Sequence, residues 1–246
     1  MVFELAWSAG GGDGGKSVAR SADPLSYVTV VTFVDFPGIP NGVLVADDRA
    51  VREIENALGI AERSATGLAV AAARLTLGVA LVHRPTAAER DRGHKLLTEV
   101  SEVFLRQGGY DLAELPALDV YLARERARGG DRDDAISLLR AQTDPLFREG
   151  QLLTWGIPAT GVLVETLLDR GAESDVAEAE AAIARLAAAP TDDGLAVRDI
   201  VLLRLQALLA RAHDDAATYA HLRDRYRDMA TSLGYEGHIA WAEAMP

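Results

Sequence analysis

Apolar residues recur at helical spacing in paired segments along most of this 246-residue chain, and each pair begins about 40 residues after the one before it. The first members of the pairs begin near Asp47, Ala87, Asp131, Ser174 and Asp214. The second members begin near Leu68, Ala113, Leu152, Leu195 and Glu236. Two series with similar spacing indicate a row of helical hairpins that bury their apolar sides against one another.

The first of these hairpins shows the apolar stripes directly. They consist of Val51, Ile54, Leu58 and Ala61 on one helix, and of Leu75, Val79 and Val82 on its partner. We expect Gly130 and Gly171 to end helices and Pro158 to mark a helix start or a kink, because neither residue type continues a helix easily. The sequence therefore predicts an all-α fold, an α-solenoid of antiparallel helical hairpins that resembles the tetratricopeptide (TPR) architecture.

The segment 25–36 (LSYVTVVTFVDF) can be interpreted in two ways. Its β-branched residues favour a strand. A single strand in a helical chain would leave its backbone groups without partners, which favours a helix instead. Residues 1–23 are glycine-rich and lack a sustained period, so we expect a disordered segment there and a helical repeat domain over residues 24–246.

The composition excludes several classes of function. The formal net charge is -12, and such a surface repels the phosphate backbone of nucleic acids. The chain has no cysteine, which removes disulfides, thiolate metal sites and cysteine nucleophiles. Its first residues lack the pattern of a signal peptide, and charged residues interrupt every apolar run before it could span a membrane. We therefore expect a cytoplasmic protein that contacts neither nucleic acid nor membrane.

One motif suggests a nucleotide site. Residues 10–17 match the Walker A pattern G-x-x-x-x-G-K-[ST], in which Gly10, Gly15, Lys16 and Ser17 would cradle phosphates and hold magnesium. A working site of this kind needs a strand before the loop and a long helix after it. Pro24 follows too soon for such a helix. A glycine-rich tail is the favoured interpretation, and the nucleotide site is the alternative.

The other candidate groups indicate no catalytic or metal site. The five histidines form no pair at metal-binding spacing, and those at 213 and 221 are typical of a helix end or a solvated face. The acidic run 131–134 is typical of helix capping. Glu178 and Glu180 should point to different faces of one helix, and the mixed charges of residues 221–227 should pair within theirs. We predict no catalytic residue, no metal and no cofactor.

Three stretches carry a resemblance to a known family: residues 147–171 (FREGQLLTWGIPATGVLVETLLDRG), 199–210 (DIVLLRLQALLA) and 221–246 (HLRDRYRDMATSLGYEGHIAWAEAMP). They resemble the C-terminal region of large mycobacterial proteins described as adenylate cyclases, which join a class III cyclase domain, an AAA-type ATPase domain and a TPR-like region. The resemblance covers only the helical region, so it transfers no catalytic residue. It implies a helical hairpin over residues 25–36 and a role in signalling.

Together these observations predict a non-catalytic scaffold or regulatory module for protein–protein interaction. Its partner would be another protein or the cyclase and ATPase domains of the family it resembles. If the start of the chain is truncated relative to that family, the first hairpin lacks its upstream neighbour, and we expect self-association through its uncovered apolar end.

Overall fold

The computed structural model describes residues 24–64, 67–106, 115–148, 155–190 and 195–245. Within these ranges the regular structure is entirely helical, which confirms the predicted all-α class. The helices are α1 (Pro24–Gly38), α2 (Asp48–Ser64), α3 (Gly67–Val82), α4 (Ala87–Arg106), α5 (Leu115–Arg128), α6 (Arg132–Arg148), α7 (Ile157–Arg170), α8 (Asp175–Ala188), α9 (Ala196–Ala212), α10 (Ala216–Leu233) and α11 (Glu236–Glu243). None of them combines the length and the apolar character that a bilayer-spanning helix needs.

Residues 25–36 are helical. This confirms the prediction made from the unpaired backbone groups of a single strand, whereas β-propensity favoured a strand. They form most of α1, where Tyr27, Val28 and Val31 are buried. A helix satisfies its own backbone groups, so α1 can lie among other helices without a paired strand. The helix ends at Gly38, whose carbonyl accepts a hydrogen bond from the Leu44 backbone N–H at 3.1 Å.

The helix boundaries follow the glycine and proline signals of the sequence. Gly130 and Gly171 follow α5 and α7 with φ of 104° and 70°, in the left-handed region that glycine tolerates. Pro158 lies in the first turn of α7, where its missing N–H costs nothing. The starts predicted near Ala113 and Leu152 lie outside the described residues, and the start predicted near Leu195 agrees with α9, which begins at Ala196.

Contacts between Cα atoms divide the chain into two compact units, residues 1–40 with 44–112 and residues 41–43 with 113–246. In the first unit, α1, α2 and α3 enclose one apolar core, and α1 also touches α3 directly. Its central residues include Tyr27, Ile54, Ala57, Leu77 and Leu81. The helices α3 and α4 lie backbone to backbone, since a Cβ atom on Gly93 would stand 2.9 Å from the Gly78 carbonyl oxygen.

In the second unit, α5 packs on α6, α7 on α8, and α9 on α10, while α11 closes the series against α10. The pairs predicted from the sequence lie one step later along the chain, α6 with α7 and α8 with α9. Those contacts exist but are less extensive. Alternate helices also touch, because α7 contacts both α5 and α9. The central helix α7 is buried on nearly all sides, with every residue from 157 to 164 inaccessible.

Candidate functional site

The Walker A-like residues Gly10, Gly15, Lys16 and Ser17 lie outside the described residues, so the nucleotide site stays a prediction. Among the residues that are described, no three histidine or acidic side chains come close enough together to hold a metal ion. One group of converging polar side chains lies in the second unit. They come from its alternate helices and from the C-terminal helix α11.

Four of these side chains form what we call the polar row: Arg124 on α5, Glu165 on α7, Arg204 on α9 and Trp241 on α11. They stand about 40 residues apart in the sequence, which is the spacing predicted for the helical hairpins. The helix α7 contacts both α5 and α9, so this spacing brings the side chains of these three helices near one another. None of the four belongs to the sites considered from the sequence.

Arg204 links two other members of the row, Glu165 and Trp241. Its Nη1 donates a hydrogen bond to Glu165 Oε1. Its guanidinium carbon lies 5.0 Å from the centre of the Trp241 ring, in cation–π geometry. Burial lowers the Arg204 pKa, because it disfavours the charged guanidinium. The charge and the hydrogen bond of the Glu165 carboxylate act in the opposite direction, and the net effect is a raised Arg204 pKa.

Arg124, at the other end of the row, is also largely buried. Its guanidinium carbon lies 4.8 Å from the centre of the Tyr121 ring. Burial, followed by repulsion from Arg128, lowers the Arg124 pKa to about 10. Burial also raises the Tyr121 pKa above its usual value, so this phenol stays protonated near neutral pH.

Behind the Trp241 end of the row lies a buried aromatic cluster centred on His238. The Tyr226 hydroxyl and His238 Nδ1 are 2.8 Å apart and hydrogen-bonded, and both residues are fully buried. Burial, and then the charge of Arg204, lower the His238 pKa to about 3. Burial likewise raises the Tyr226 pKa. Imidazole and phenol are therefore both neutral at physiological pH.

The loop 41–43 completes this cluster. The backbone N–H groups of Glu236 and His238, in the first turn of α11, donate to the carbonyls of Val43 (3.1 Å) and Gly42 (2.9 Å). These are donors that a helix N-terminus cannot satisfy internally. Gly42 has a φ of 67°, and a Cβ atom there would come within 2.6 Å of the Trp241 ring and 2.8 Å of the His238 ring. Only glycine fits this position.

The arrangement offers fixed charge and aromatic surface rather than acid–base chemistry. The His238 imidazole and the phenols of Tyr226 and Tyr121 hold one protonation state near pH 7, as the directions of their pKa shifts require. Arg124 and Arg204 stay charged at that pH. Such groups suit recognition of another surface more than proton transfer.

The structure confirms several minor predictions about surface residues. Glu178 accepts from Arg140 at 2.6 Å, whereas Glu180 contacts His213 at 2.8 Å, so these two carboxylates do point to different faces. His213 lies at the end of α9 and is about half exposed. The basic run 221–227 pairs within its own helix, for example through an Arg227–Asp224 hydrogen bond of 2.8 Å.

Sequence reasoning missed the main members of the site. Tyr226 belongs to an apolar stripe in the sequence, and nothing there indicates that its hydroxyl faces His238. Nothing in the sequence indicates that the His238 side chain of α11 is fully buried. The one available signal was the repeat spacing of Arg124, Glu165 and Arg204.

Comparison with known proteins yields no relative. No protein family, no curated protein and no solved structure matches this chain.

Proposed function

We propose that this chain is a non-catalytic helical-repeat scaffold that binds a protein partner along the polar row. The observation that carries the proposal is the placement of one charged or aromatic side chain at a corresponding position of each alternate helix, from α5 to α11. Repeat proteins build extended binding surfaces in this way, because the repeating layer presents equivalent positions in sequence.

The chemistry of the row supports this function. Arginine and tryptophan are the residue types most enriched among the side chains that dominate binding energy at protein interfaces. Arg204 and Glu165 keep 19% and 35% of their side-chain surface exposed, so a partner could cover them further. Their mutual contact and the stacking on Trp241 hold them in place before binding, which lowers the entropic cost of association.

The partner we propose comes from the family resemblance: the class III cyclase and AAA-type ATPase domains that accompany this kind of helical region in large mycobacterial proteins. In that arrangement the chain would take part in signalling by docking against those domains. It would contribute no catalytic group itself.

Isothermal titration of the purified chain against a cyclase–ATPase fragment of such a protein tests the proposal. We expect saturable binding that weakens at least tenfold in Arg204→Gln, since interface arginines commonly contribute more than 1.4 kcal/mol. The matched control is Arg140→Gln, which removes a similar interhelical pair with Glu178 outside the row and should change the affinity less than twofold. Absence of binding, or equal losses in both variants, would refute the proposal.

The alternative function is nucleotide binding through Gly10, Gly15, Lys16 and Ser17, and the motif match alone supports it. Titration with ATP and magnesium decides this. Under the scaffold proposal neither the wild type nor Lys16→Ala binds ATP. Micromolar binding that Lys16→Ala abolishes would establish the alternative.

Self-association through the N-terminal end of the helical region, at α1, is a separate part of the proposal. In α1, Phe33 keeps 61% of its surface exposed, which is unusual for a large apolar residue. Light scattering should give a mass above that of a monomer for the wild type and a lower mass for Phe33→Ser. A wild type that is monomeric at high concentration would rule out this association.

A further inference from the structure

The C-terminal helix α11 is attached to the rest of the second unit around one imidazole. Its first-turn N–H groups, at Glu236 and His238, bind the carbonyls of the loop 41–43. The side chain of His238 then fills the space between that loop and α10, where it meets the Tyr226 hydroxyl. A change in the charge or the size of the His238 side chain therefore directly affects the docking of α11.

The imidazole is enclosed by aromatic rings. The rings of Tyr226 and Trp241 lie nearly perpendicular to it in T-shaped contacts, with ring centres 5.5 Å and 5.0 Å away. Tyr235 is stacked on it at 6.2 Å. On the remaining side, Nε2 is buried, and a Cβ atom at Gly42 would lie only 2.8 Å from it. This leaves no room for solvent beside the ring.

The charge that faces the imidazole opposes its protonation to the imidazolium cation. From α9, the Arg204 guanidinium repels a positive charge on the ring. The Glu165 carboxylate of α7 is engaged with Arg204. From α10, Tyr226 offers a neutral hydroxyl, and only the Asn41 carbonyl favours protonation. The described contacts of His238 include no carboxylate hydrogen bond.

We propose that α11 is an acid-sensitive latch, in which protonation of His238 releases the helix from the loop 41–43 and from α10. In the docked state burial holds the His238 pKa at about 3, whereas a released, solvated histidine has its ordinary pKa of 6.5. The released helix therefore binds the proton. Docking is fully favourable above pH 6.5 and loses stability as the pH falls from 6.5 towards 3.

The latch regulates the polar row, and this consequence rests on the proposed function. Trp241 belongs to α11, so its release removes the aromatic face on which Arg204 lies. Mild acid would then weaken partner binding without any titration of the row itself. The release is a property of the chain alone and is measured without a partner.

Hydrogen–deuterium exchange of the full chain tests the latch. The amides of Glu236 and His238 report docking, because both are bonded to the loop. After correction for intrinsic rates, we expect their protection to fall about 30-fold between pH 7.5 and 5.0, as linkage to one histidine requires. This window lies above the ordinary pKa range of carboxylates, so acidic residues contribute little.

Three variants separate the latch from general acid sensitivity. His238→Gln keeps a hydrogen-bonding side chain but does not titrate, so protection should change less than threefold over the same window. Tyr226→Phe retains the imidazole and should retain the acid response. His213→Gln, on the exposed end of α9, should behave like the wild type.

Two outcomes would overturn the proposal: constant protection in the wild type, or an undiminished acid response in His238→Gln. Should His238→Gln already be undocked at pH 7.5, the imidazole NMR signal of the wild type decides. The latch requires that this signal show a neutral His238 ring in the docked state at pH 5.0. A protonated ring in a chain whose α11 amides stay protected would refute the latch. If the latch holds while titration shows no partner binding, only the proposed function fails.

Discussion

Arg170 occupies the same place in its hairpin as Arg84 does two repeat lengths earlier. At the end of α7, the Arg170 guanidinium donates to Asp133 in the first turn of α6 at 2.6 Å and to Asp175 in the first turn of α8 at 2.9 Å. Carboxylates are favoured at helix N-termini by the helix dipole. One cation thereby joins the starts of two helices that flank α7.

Arg84 makes the corresponding contacts just beyond the end of α3. It donates to Glu89 in the first turn of α4 at 2.8 Å, and it also bonds to Asp48 at the start of α2. One repeat length after Arg170 the chain has His213, which contacts Glu180 at 2.8 Å. The contacts of Arg84 and Arg170 with the starts of neighbouring helices recur at the spacing predicted for the hairpins.

The pair formed by Arg170 and Asp175 should contribute strongly to stability. Asp175 is completely buried and also accepts the Ala172 backbone N–H at 2.8 Å. Asp175→Asn leaves the guanidinium without its nearest carboxylate, so we expect a loss of roughly 3 kcal/mol in the free energy of unfolding. Urea denaturation at pH 7 measures it. The matched control is Asp144→Asn, whose side chain is 68% exposed beside Arg185 and should cost less than about 1 kcal/mol.

The same pair predicts a pH dependence. Hydrogen bonds from Arg170 hold the Asp175 pKa below its ordinary value of 3.8. A carboxylate with a lowered pKa stabilises the fold in full above pH 3.8, and this contribution is lost as the pH falls through the lower pKa of the folded state. The stability gap between wild type and Asp175→Asn should therefore stay constant from pH 7 to about 5 and narrow below 3.8. A gap that persists at pH 2.5 would contradict the assignment.

Much of the helical structure could be predicted from local signals. Gly130, Gly171 and Pro158 mark helix ends and a start because their backbone restrictions act within a few residues. Which of its two neighbours a helix contacts more extensively could not be predicted, because an apolar stripe does not reveal it. The helical state of residues 25–36 required an argument about the whole chain, since local propensity favours a strand.

The candidate site was harder to predict than the fold. Tyr226 and His238 are 12 residues apart and meet only because α11 folds back on α10. Arg204 and Glu165 come from different hairpins, and charged residues in amphipathic helices are ordinarily solvated. Burial of such groups depends on the tertiary structure, and it cannot be predicted from their neighbours in the sequence.

Gly42 should be intolerant of any side chain. Gly42→Ala places a Cβ within 2.6 Å of Trp241 and forces alanine into a left-handed conformation, so we expect a loss of roughly 3 kcal/mol in unfolding free energy. Gly234→Ala is the matched control, since its φ of 66° is nearly identical and its Cβ would meet nothing within 4 Å. The control should lose only the conformational cost, about 1 kcal/mol. Equal losses in thermal denaturation would show that the Trp241 contact is unimportant.

The close approach of α3 and α4 predicts a similar effect at Gly93. A Cβ atom there would lie 2.9 Å from the Gly78 carbonyl oxygen and 2.9 Å from Leu81 Cβ, and neither atom can move without shifting a helix. Gly93→Ala should therefore destabilise the chain by about 2 kcal/mol, although alanine favours helices. Gly59→Ala, inside α2, meets only the flexible end of Arg63 at 3.3 Å and should stabilise by about 0.5 to 1 kcal/mol. Opposite signs in urea denaturation are expected, and a stabilised Gly93→Ala would disprove the backbone contact.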